Sequence, residues 1–153
     1  MKITNILQAE SVIPELQAKD KNAAIRELAQ AVTRSEPSIA VDPLYEILLE
    51  REKLGSTGIG SGVAIPHGKL PHIEKIIAAF GRSSSGIDFD SQDGEPAHLF
   101  FVLVAPENTA GLHLKALAKL SRLLKDDRFR EKLLSAKDGA ALYQAIAEED
   151  EKV

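Results

Sequence analysis

The chain has 153 residues, of which 44% are hydrophobic and 27% charged, a composition typical of one soluble domain. It has no cysteine, which excludes disulfides and thiolate metal sites, and its net charge of −4 with no basic stripe argues against a nucleic-acid partner. The apolar runs are too short to span a bilayer and the N-terminus lacks the apolar core of a secretory signal, so we expect a cytoplasmic protein without membrane insertion.

Two helices are predicted after a short N-terminal segment, the first of them amphipathic. The first covers Asn22–Arg34, where apolar residues recur at helical spacing. These residues are Ile25, Leu28, Ala29 and Val32. Asp42 supplies an N-cap and Pro43 the first residue of a second helix, which Gly55 is placed to end.

The middle of the chain is predicted to be β-structure. The segment Gly55–Gly62 (GSTGIGSG) has four glycines in eight residues, which favours a loop. Strands are predicted over Val63–Pro66, Ile76–Gly81 and Leu99–Val104. The last of these is continuously apolar, which indicates burial on both faces. Ser91–Gly94 predicts a turn, and Ile87–Phe89 a short edge strand.

The last third is predicted to be helical. One helix is capped by Thr109 and runs through Leu124, a second covers Asp127–Ser135, and a third is capped by Asp138 and runs through Ala147. The acidic residues after it favour a frayed tail over residues 148–153. Helices on both sides of a central sheet in sequence predict an α/β domain with two helical layers.

The Gly-rich loop fits neither common phosphate-binding template. Gly55 to Gly60 has the glycine spacing of a P-loop, but Ser61 and Gly62 stand where Lys and Ser or Thr are required. The glycines also precede a strand, whereas the dinucleotide fingerprint follows one. A nucleotide site is therefore not supported, and composition alone leaves a structural and a functional loop equally open.

His67 is the first candidate functional residue. It lies at the end of a predicted apolar strand, between Pro66 and Gly68. Pro66 fixes the backbone before it, and Gly68 would leave space beside the imidazole for a ligand or partner. A single histidine is more often structural than catalytic, and this placement reduces that preference, so both interpretations stay open.

Two further residues have both a structural and a functional interpretation. His113 heads the buried stripe of its predicted helix, so it is either a histidine at the edge of the core or part of an anion site at a helix N-terminus. Arg51 lies in a charged cluster at a helix end, where a solvated role is the default.

A metal or cofactor is not expected. The chain has no H-E-x-x-H motif, and Pro71 separates His67 from His72. His72 and His98 are most simply interpreted as structural or exposed.

The segment Arg51–Lys69, REKLGSTGIGSGVAIPHGK, resembles the active-site segment of the type 2 IIA domains of the bacterial phosphotransferase system, and most of all their nitrogen-regulatory branch. DKNAAIRELA and FFVLVAPENTAGLHLKALAKLSRLL fit the same pattern, so the resemblance covers nearly the whole chain. It implies a single domain over residues 1–153, with a mixed β-sheet flanked by helices on both faces.

The resemblance also implies a function and a site. His67 would be the phosphorylated nucleophile, at its Nε2 atom, His113 would orient or stabilise the phosphoryl group, and Arg51 would neutralise its charge. Ser56, Thr57 and Gly58 would form a phosphoryl-binding loop. The donor would be a small histidine-phosphorylated carrier protein, HPr-like or NPr-like, and the output would be regulation of target proteins by the phosphorylation state.

We expect an exposed, partly apolar surface around His67 to receive the carrier, formed by Ile59, Val63 and Leu70. Because the length leaves room for one such domain and no IIB or IIC domain is appended, we expect a stand-alone regulator. The alternatives are a fructose or mannitol IIA component, a binding module that is never phosphorylated, and a metal-dependent hydrolase built on His67 and His113.

Overall fold

Residues 2–152 are described by a computed structural model, in which helices lie on both faces of one mixed sheet. The strands are β1 (Leu7–Ile13), β2 (Gly58–Gly60), β3 (Val63–Ala64), β4 (His67–Leu70), β5 (Ile77–Ile87) and β6 (Ala97–Pro106). The helices are α1 (Lys21–Ser35), α2 (Val41–Lys53), α3 (Ala110–Leu124), α4 (Asp127–Ser135) and α5 (Gly139–Glu151). The α/β single-domain prediction is confirmed.

Strand β6 is the centre of the sheet. The strand order is β1-β5-β6-β3-β2, and β4 also pairs with β6. β6 runs antiparallel to β5 and parallel to β3 and β4, while β1 is parallel to β5. The sheet is therefore mixed, as the resemblance implied.

The side chains of β6 alternate between two cores, as the period of two in a strand requires. Phe101 and Leu103 pack in a core with Leu120 of α3 and residues of α4 and α5. Phe100 and Val102 pack in a second core with apolar residues of α1 and α2. The prediction that this apolar run is buried on both faces is confirmed.

The predicted helix α1 is confirmed, and Asp20 caps it by accepting a hydrogen bond from the N–H of Ala23 at 2.8 Å. The predicted cap of α2 is wrong. The N-cap is Ala40, and Asp42 lies in the first turn, where it forms an ion pair with Arg26. A proline in the first turn misleads here, because proline is tolerated at any of the positions whose N–H has no partner within the helix.

The strands differ from the prediction in four places. The sequence analysis missed β1, whose pairing with β5 is irregular between Leu7 and Val12, so it lacks a clean alternation. The predicted loop contains β2, which is held by antiparallel pairing with β3. The predicted strand Val63–Pro66 is shorter and ends before His67, the first residue of β4. The predicted edge strand Ile87–Phe89 is wrong, because β5 itself continues to Ile87.

The turn and the C-terminal helices follow the prediction more closely. The N–H of Gly94 donates to the carbonyl of Ser91 at 2.9 Å, which closes the predicted turn. Thr109 and Asp138 precede α3 and α5 as predicted, although Thr109 makes no side-chain cap. Within residues 2–152, no helix is both long and apolar enough to span a membrane.

The prediction of a frayed tail is wrong for residues 148–151, which form the last turn of α5. Asp150 is 1% exposed; it accepts a hydrogen bond from the N–H of Thr4 at 3.1 Å and lies 2.8 Å from Nζ of Lys119. The hydrogen bond holds the last turn against the N-terminal segment, and the ion pair joins that turn to α3. Val153, the end of the predicted tail, lies outside the described residues.

We expect Asp150→Asn to lower the free energy of unfolding by about 1–3 kcal/mol, because the buried ion pair with Lys119 loses one of its two charges. Burial raises the pKa of Asp150, but hydrogen bonds from Lys119 and from the N–H groups of Thr4 and Ile3 hold that pKa below its ordinary 3.8. Its stabilisation is present above pH 3.8 and lost as pH falls through the folded-state pKa. Urea unfolding at neutral and acid pH should show this loss in the wild type and a smaller one in the variant.

Candidate functional site

His67 begins β4, beside the central strand, with Leu103 of β6 as its partner. Its Nδ1 lies 2.8 Å from the carbonyl oxygen of Ile65. A carbonyl can only accept a hydrogen bond, so Nδ1 carries the proton and Nε2 has a lone pair. The imidazole is therefore held as one tautomer, with Nε2 as the available nucleophile.

Arg51, in the last turn of α2, contacts that same nitrogen. Its Nε donates to Nε2 of His67 at 3.3 Å, and its Nη1 donates to the carbonyl of Gly55 at 2.8 Å. The two hydrogen bonds fix the plane of the guanidinium. Arg51 is thus directed at Nε2 of His67 and is not a freely solvated side chain.

His113 approaches from the opposite side, in the first turn of α3. The two imidazole centroids are 5.4 Å apart and the rings meet edge to face at 75°. His113 is 6% exposed, and within the described residues its Nε2 has no hydrogen-bond partner. A buried polar atom without a partner is costly, so this nitrogen is available for a ligand.

The backbone at Gly68 decides how closely α2 approaches His67. A Cβ built on Gly68 would lie 2.7 Å from Cγ2 of Ile47 in α2. The prediction that Gly68 leaves space for a ligand or partner is therefore wrong, because Ile47 occupies that space. The glycine instead allows α2 to pack close to β4, which brings Arg51 to His67.

The three side chains line one cavity of about 570 Å³. Its other lining residues are Ile47, Glu50, Leu54, Gly68, Lys69, Leu114 and Leu117. Leu54 is 84% and Leu114 is 67% exposed, so the cavity has an apolar rim.

The predicted docking residues around His67 are largely wrong. Val63 and Leu70 are buried, because their strands lie inside the sheet against helices, and Ile59 is exposed but does not line the cavity. Leu54 and Leu114 form the rim in their place. Neither leucine was predicted, because the sequence does not show whether a leucine is exposed or lies in the core.

The three loop candidates lie apart from the cavity lining. The hydroxyl of Ser56 donates to the carbonyl of Phe89 at 2.8 Å and accepts from the N–H of Gly58 at 3.0 Å. The N–H and hydroxyl of Thr57 both donate to the carboxylate of Glu52. The structure thus brings Arg51, His67 and His113 together, while these loop groups are committed to bonds within the protein.

Both imidazoles are held neutral by their surroundings. Burial is the largest influence on the pKa of His67 and lowers it; the Ile65 carbonyl raises this pKa, the charge of Arg51 lowers it further, and Glu52 has the smallest effect, in the raising direction. Burial lowers the pKa of His113 to about 4, with further contributions from His67 and Lys69. A neutral Nε2 beside a fixed guanidinium is a nucleophile placed to receive an anionic group.

An α/β domain with such a histidine site fits a defined family. The family model of the phosphoenolpyruvate-dependent sugar phosphotransferase system, EIIA 2, matches residues 5–149. The chain belongs to this family and is a phosphotransferase component.

Relatives divide between regulatory and sugar-specific proteins. A nitrogen regulatory protein of Bradyrhizobium diazoefficiens is 46% identical over 149 residues, covering 96% of this chain and 95% of that protein. The fructose-specific EIIABC component of Bacillus subtilis is 37% identical over 98% of this chain, which matches 24% of that longer protein.

Solved structures confirm the fold. The nitrogen regulatory protein IIA-Ntr of Neisseria meningitidis superposes with a TM-score of 0.87 at 33% identity, over 94% of this chain and 98% of that one. The mannitol IIA of Escherichia coli gives a TM-score of 0.74 at 24% identity, over 92% and 98% of the two chains.

The lowered pKa of His113 predicts a pH-dependent stability. Between pH 6.5 and about 4 the unfolded chain binds a proton on this residue that the folded protein does not, so the free energy of unfolding falls as pH falls through that range. We expect His113→Gln, which does not titrate, to remove this part of the loss and to leave the part due to His67. Denaturant unfolding of the wild type and the variant, at neutral pH and midway between pH 6.5 and about 4, measures how much unfolding free energy each protein loses. An equal loss in the two proteins would contradict the assignment to His113.

Proposed function

We propose that the chain is a histidine phosphoryl carrier of the nitrogen-related phosphotransferase system. It accepts a phosphoryl group on Nε2 of His67 from a histidine-phosphorylated carrier protein, HPr-like or NPr-like. The observation that carries this proposal is the pair of hydrogen bonds at His67, from Nδ1 to Ile65 and from Arg51 to Nε2. They leave one nitrogen nucleophilic and place a cation against it.

The transfer exchanges one P–N bond for another. The bond from phosphorus to Nε2 of His67 forms as the bond from phosphorus to the donor's imidazole breaks, and that electron pair returns to the donor ring. The Nδ1 proton stays on His67. The Ile65 carbonyl that accepts it at 2.8 Å stabilises the positive charge developing on the ring.

The other two residues act on the phosphoryl oxygens. As Nε2 attacks, Nε of Arg51 can no longer donate to its lone pair, and the guanidinium then donates to an oxygen on phosphorus. The unpartnered Nε2 of His113 would supply a second hydrogen bond from across the cavity. Phosphoryl transfer needs little more than such positioning and charge neutralisation.

The partners follow from the relatives and from the surface. The similarity to the nitrogen regulatory proteins supports an output through target proteins that distinguish the phosphorylated from the unphosphorylated chain. We place this carrier in the cytoplasm, where its donor would dock on the rim of the cavity.

A sugar-specific IIA role is the second candidate, favoured by the 37% identity to the fructose EIIABC component. In that role the phosphoryl group would pass from His67 to a IIB domain. Incubating the phosphorylated chain with purified fructose and mannitol IIB domains separates the two: the regulatory role predicts that the label stays on this chain.

We expect phosphoenolpyruvate with purified enzyme I and HPr to add one phosphoryl group to the wild-type chain, detected by intact mass, and none to His67→Ala. His72→Asn is the matched control: His72 has φ of 67°, which asparagine tolerates, and it does not line the cavity. The control should be labelled fully. Acid-labile label that persists in His67→Ala would refute the proposal.

Arg51→Ala and His113→Ala should each slow the single-turnover transfer by about 10²- to 10³-fold, the usual effect of removing one donor to a developing charge. Both variants should remain folded, as judged by circular dichroism. Transfer at the wild-type rate by a folded variant would show that the residue takes no part in the reaction.

If the donor protein docks on the apolar rim, substitutions at the rim should slow transfer from a protein donor but not from a small-molecule donor. Leu54→Glu and Leu114→Glu should slow transfer from phosphorylated HPr by about tenfold, since each loses roughly 1.5 kcal/mol of apolar burial. Transfer from phosphoramidate, which needs no protein surface, should be unchanged. Leu134→Glu on α4 is the control, as Leu134 is also exposed but lies outside the cavity lining. Equal rates for all three variants with HPr would place the docking surface elsewhere.

A further inference from the structure

Beside Arg51 lies a buried carboxylate that the transfer mechanism above does not use. Glu52, in the last turn of α2, has a side chain only 5% exposed. Burying a carboxylate is costly unless its oxygens are paired. Here Nζ of Lys21 lies 3.0 Å from Oε1, and Thr57 donates both its N–H and its hydroxyl to the carboxylate.

This cluster closes the loop that follows α2. Glu52 and Thr57 are five residues apart, so their hydrogen bonds join the end of the helix to the far end of the loop. The N–H of Gly55 also donates to the main-chain carbonyl of Glu52 at 3.1 Å. Gly55 itself takes φ of 144°, a conformation that glycine adopts without strain. The loop is thus held at both ends around Gly55.

The held loop supplies the second anchor of Arg51. Nη1 of Arg51 donates to the carbonyl of Gly55 at 2.8 Å, while its Nε faces Nε2 of His67 at 3.3 Å. An arginine side chain has many rotamers, and a single contact at 3.3 Å would not select one of them. The Gly55 carbonyl selects the rotamer that reaches His67.

We propose that Glu52 and Thr57 are positioning residues for phosphoryl transfer: they hold the Gly55 carbonyl where it fixes the guanidinium of Arg51 against Nε2 of His67. This inference rests on the proposed function of His67. In this proposal the Gly-rich loop does not bind the phosphoryl group directly, because the N–H and hydroxyl groups of Thr57 already donate to Glu52. The loop acts by holding Arg51 in place.

A double-mutant cycle tests the proposal. Thr57→Val removes the hydroxyl and keeps the N–H, and it should slow transfer from phosphoramidate to His67 by about tenfold to a hundredfold, the effect of a small misplacement of a reacting group. Thr57→Ser, which keeps both donors, should restore most of the rate. In an Arg51→Ala background, Thr57→Val should have no further effect, because no guanidinium remains to be positioned. Equal slowing in both backgrounds, or no slowing in a folded variant, would overturn the proposal.

A second variant tests the loop without touching the buried cluster, and it decides the question if Thr57→Val does not fold. No atom lies within 4 Å of a Cβ built on Gly55, so Gly55→Ala adds no clash, but its φ of 144° disfavours alanine and shifts the carbonyl. We expect slower transfer with an intact fold. Gly94→Ala is the matched control, as Gly94 has φ of 75°, the same open space, and no place in the cavity lining. Equal transfer rates in these two variants would refute the positioning role.

A readout without phosphorylation separates this inference from the proposed function. Burial lowers the pKa of His67 and the charge of Arg51 lowers it further, while the Ile65 carbonyl and Glu52 of α2 raise it; His113 of α3 faces the same ring. If the guanidinium is displaced in Gly55→Ala, the pKa of His67 measured by NMR rises towards its ordinary 6.5, whereas it stays unchanged in Gly94→Ala. A wild-type chain that takes no phosphoryl group would refute the proposed function, while an unmoved pKa in Gly55→Ala would refute the positioning role alone.

Discussion

The burial of β6 on both faces is the constraint on which the rest of the molecule depends. Phe101 and Leu103 face one core and Phe100 and Val102 the other, so helices must cover the sheet on both sides. α2 lies on one face and α3 on the other. Because β4 pairs with β6, its first residue, His67, lies where the C-terminal end of α2 and the N-terminal end of α3 converge.

Burial and a neighbouring charge together set the protonation state of His67 at the site. Burial alone would only lower the basicity of His67, and a neutral ring without fixed hydrogens could present either nitrogen. The Ile65 carbonyl fixes the proton on Nδ1, and the Arg51 guanidinium faces Nε2 without protonating it. The site therefore holds a neutral imidazole next to a permanent cation, a combination that suits the phosphoryl transfer we propose. Burial likewise leaves His113 neutral, and its Nε2 has no hydrogen-bond partner among residues 2–152.

Sequence reasoning performed well where one local signal dominates. Regular apolar spacing located α1, and the predicted cap Asp138 accepts a hydrogen bond from the N–H of Ala141. It performed poorly where a tertiary partner decides. β1 is a strand because β5 lies beside it, β2 because β3 does, and residues 148–151 are helical because Lys119 neutralises Asp150. Gly68 was predicted to leave space for a ligand or partner, but the space beside it belongs to Ile47 of α2.

The sequence by itself indicated the family and the central apolar strand, because a long motif and a continuous apolar run are local properties of the chain. Through the resemblance it also singled out Arg51, His67 and His113 as candidate site residues, which the structure brings to one cavity. Only the tertiary structure decided which nitrogen of His67 carries the proton, that Nε of Arg51 contacts the other nitrogen, and that Thr57 donates to Glu52. These depend on distances of about 3 Å between groups on different elements. Spacing along a chain does not encode such distances, since they arise only when the sheet brings its helices together.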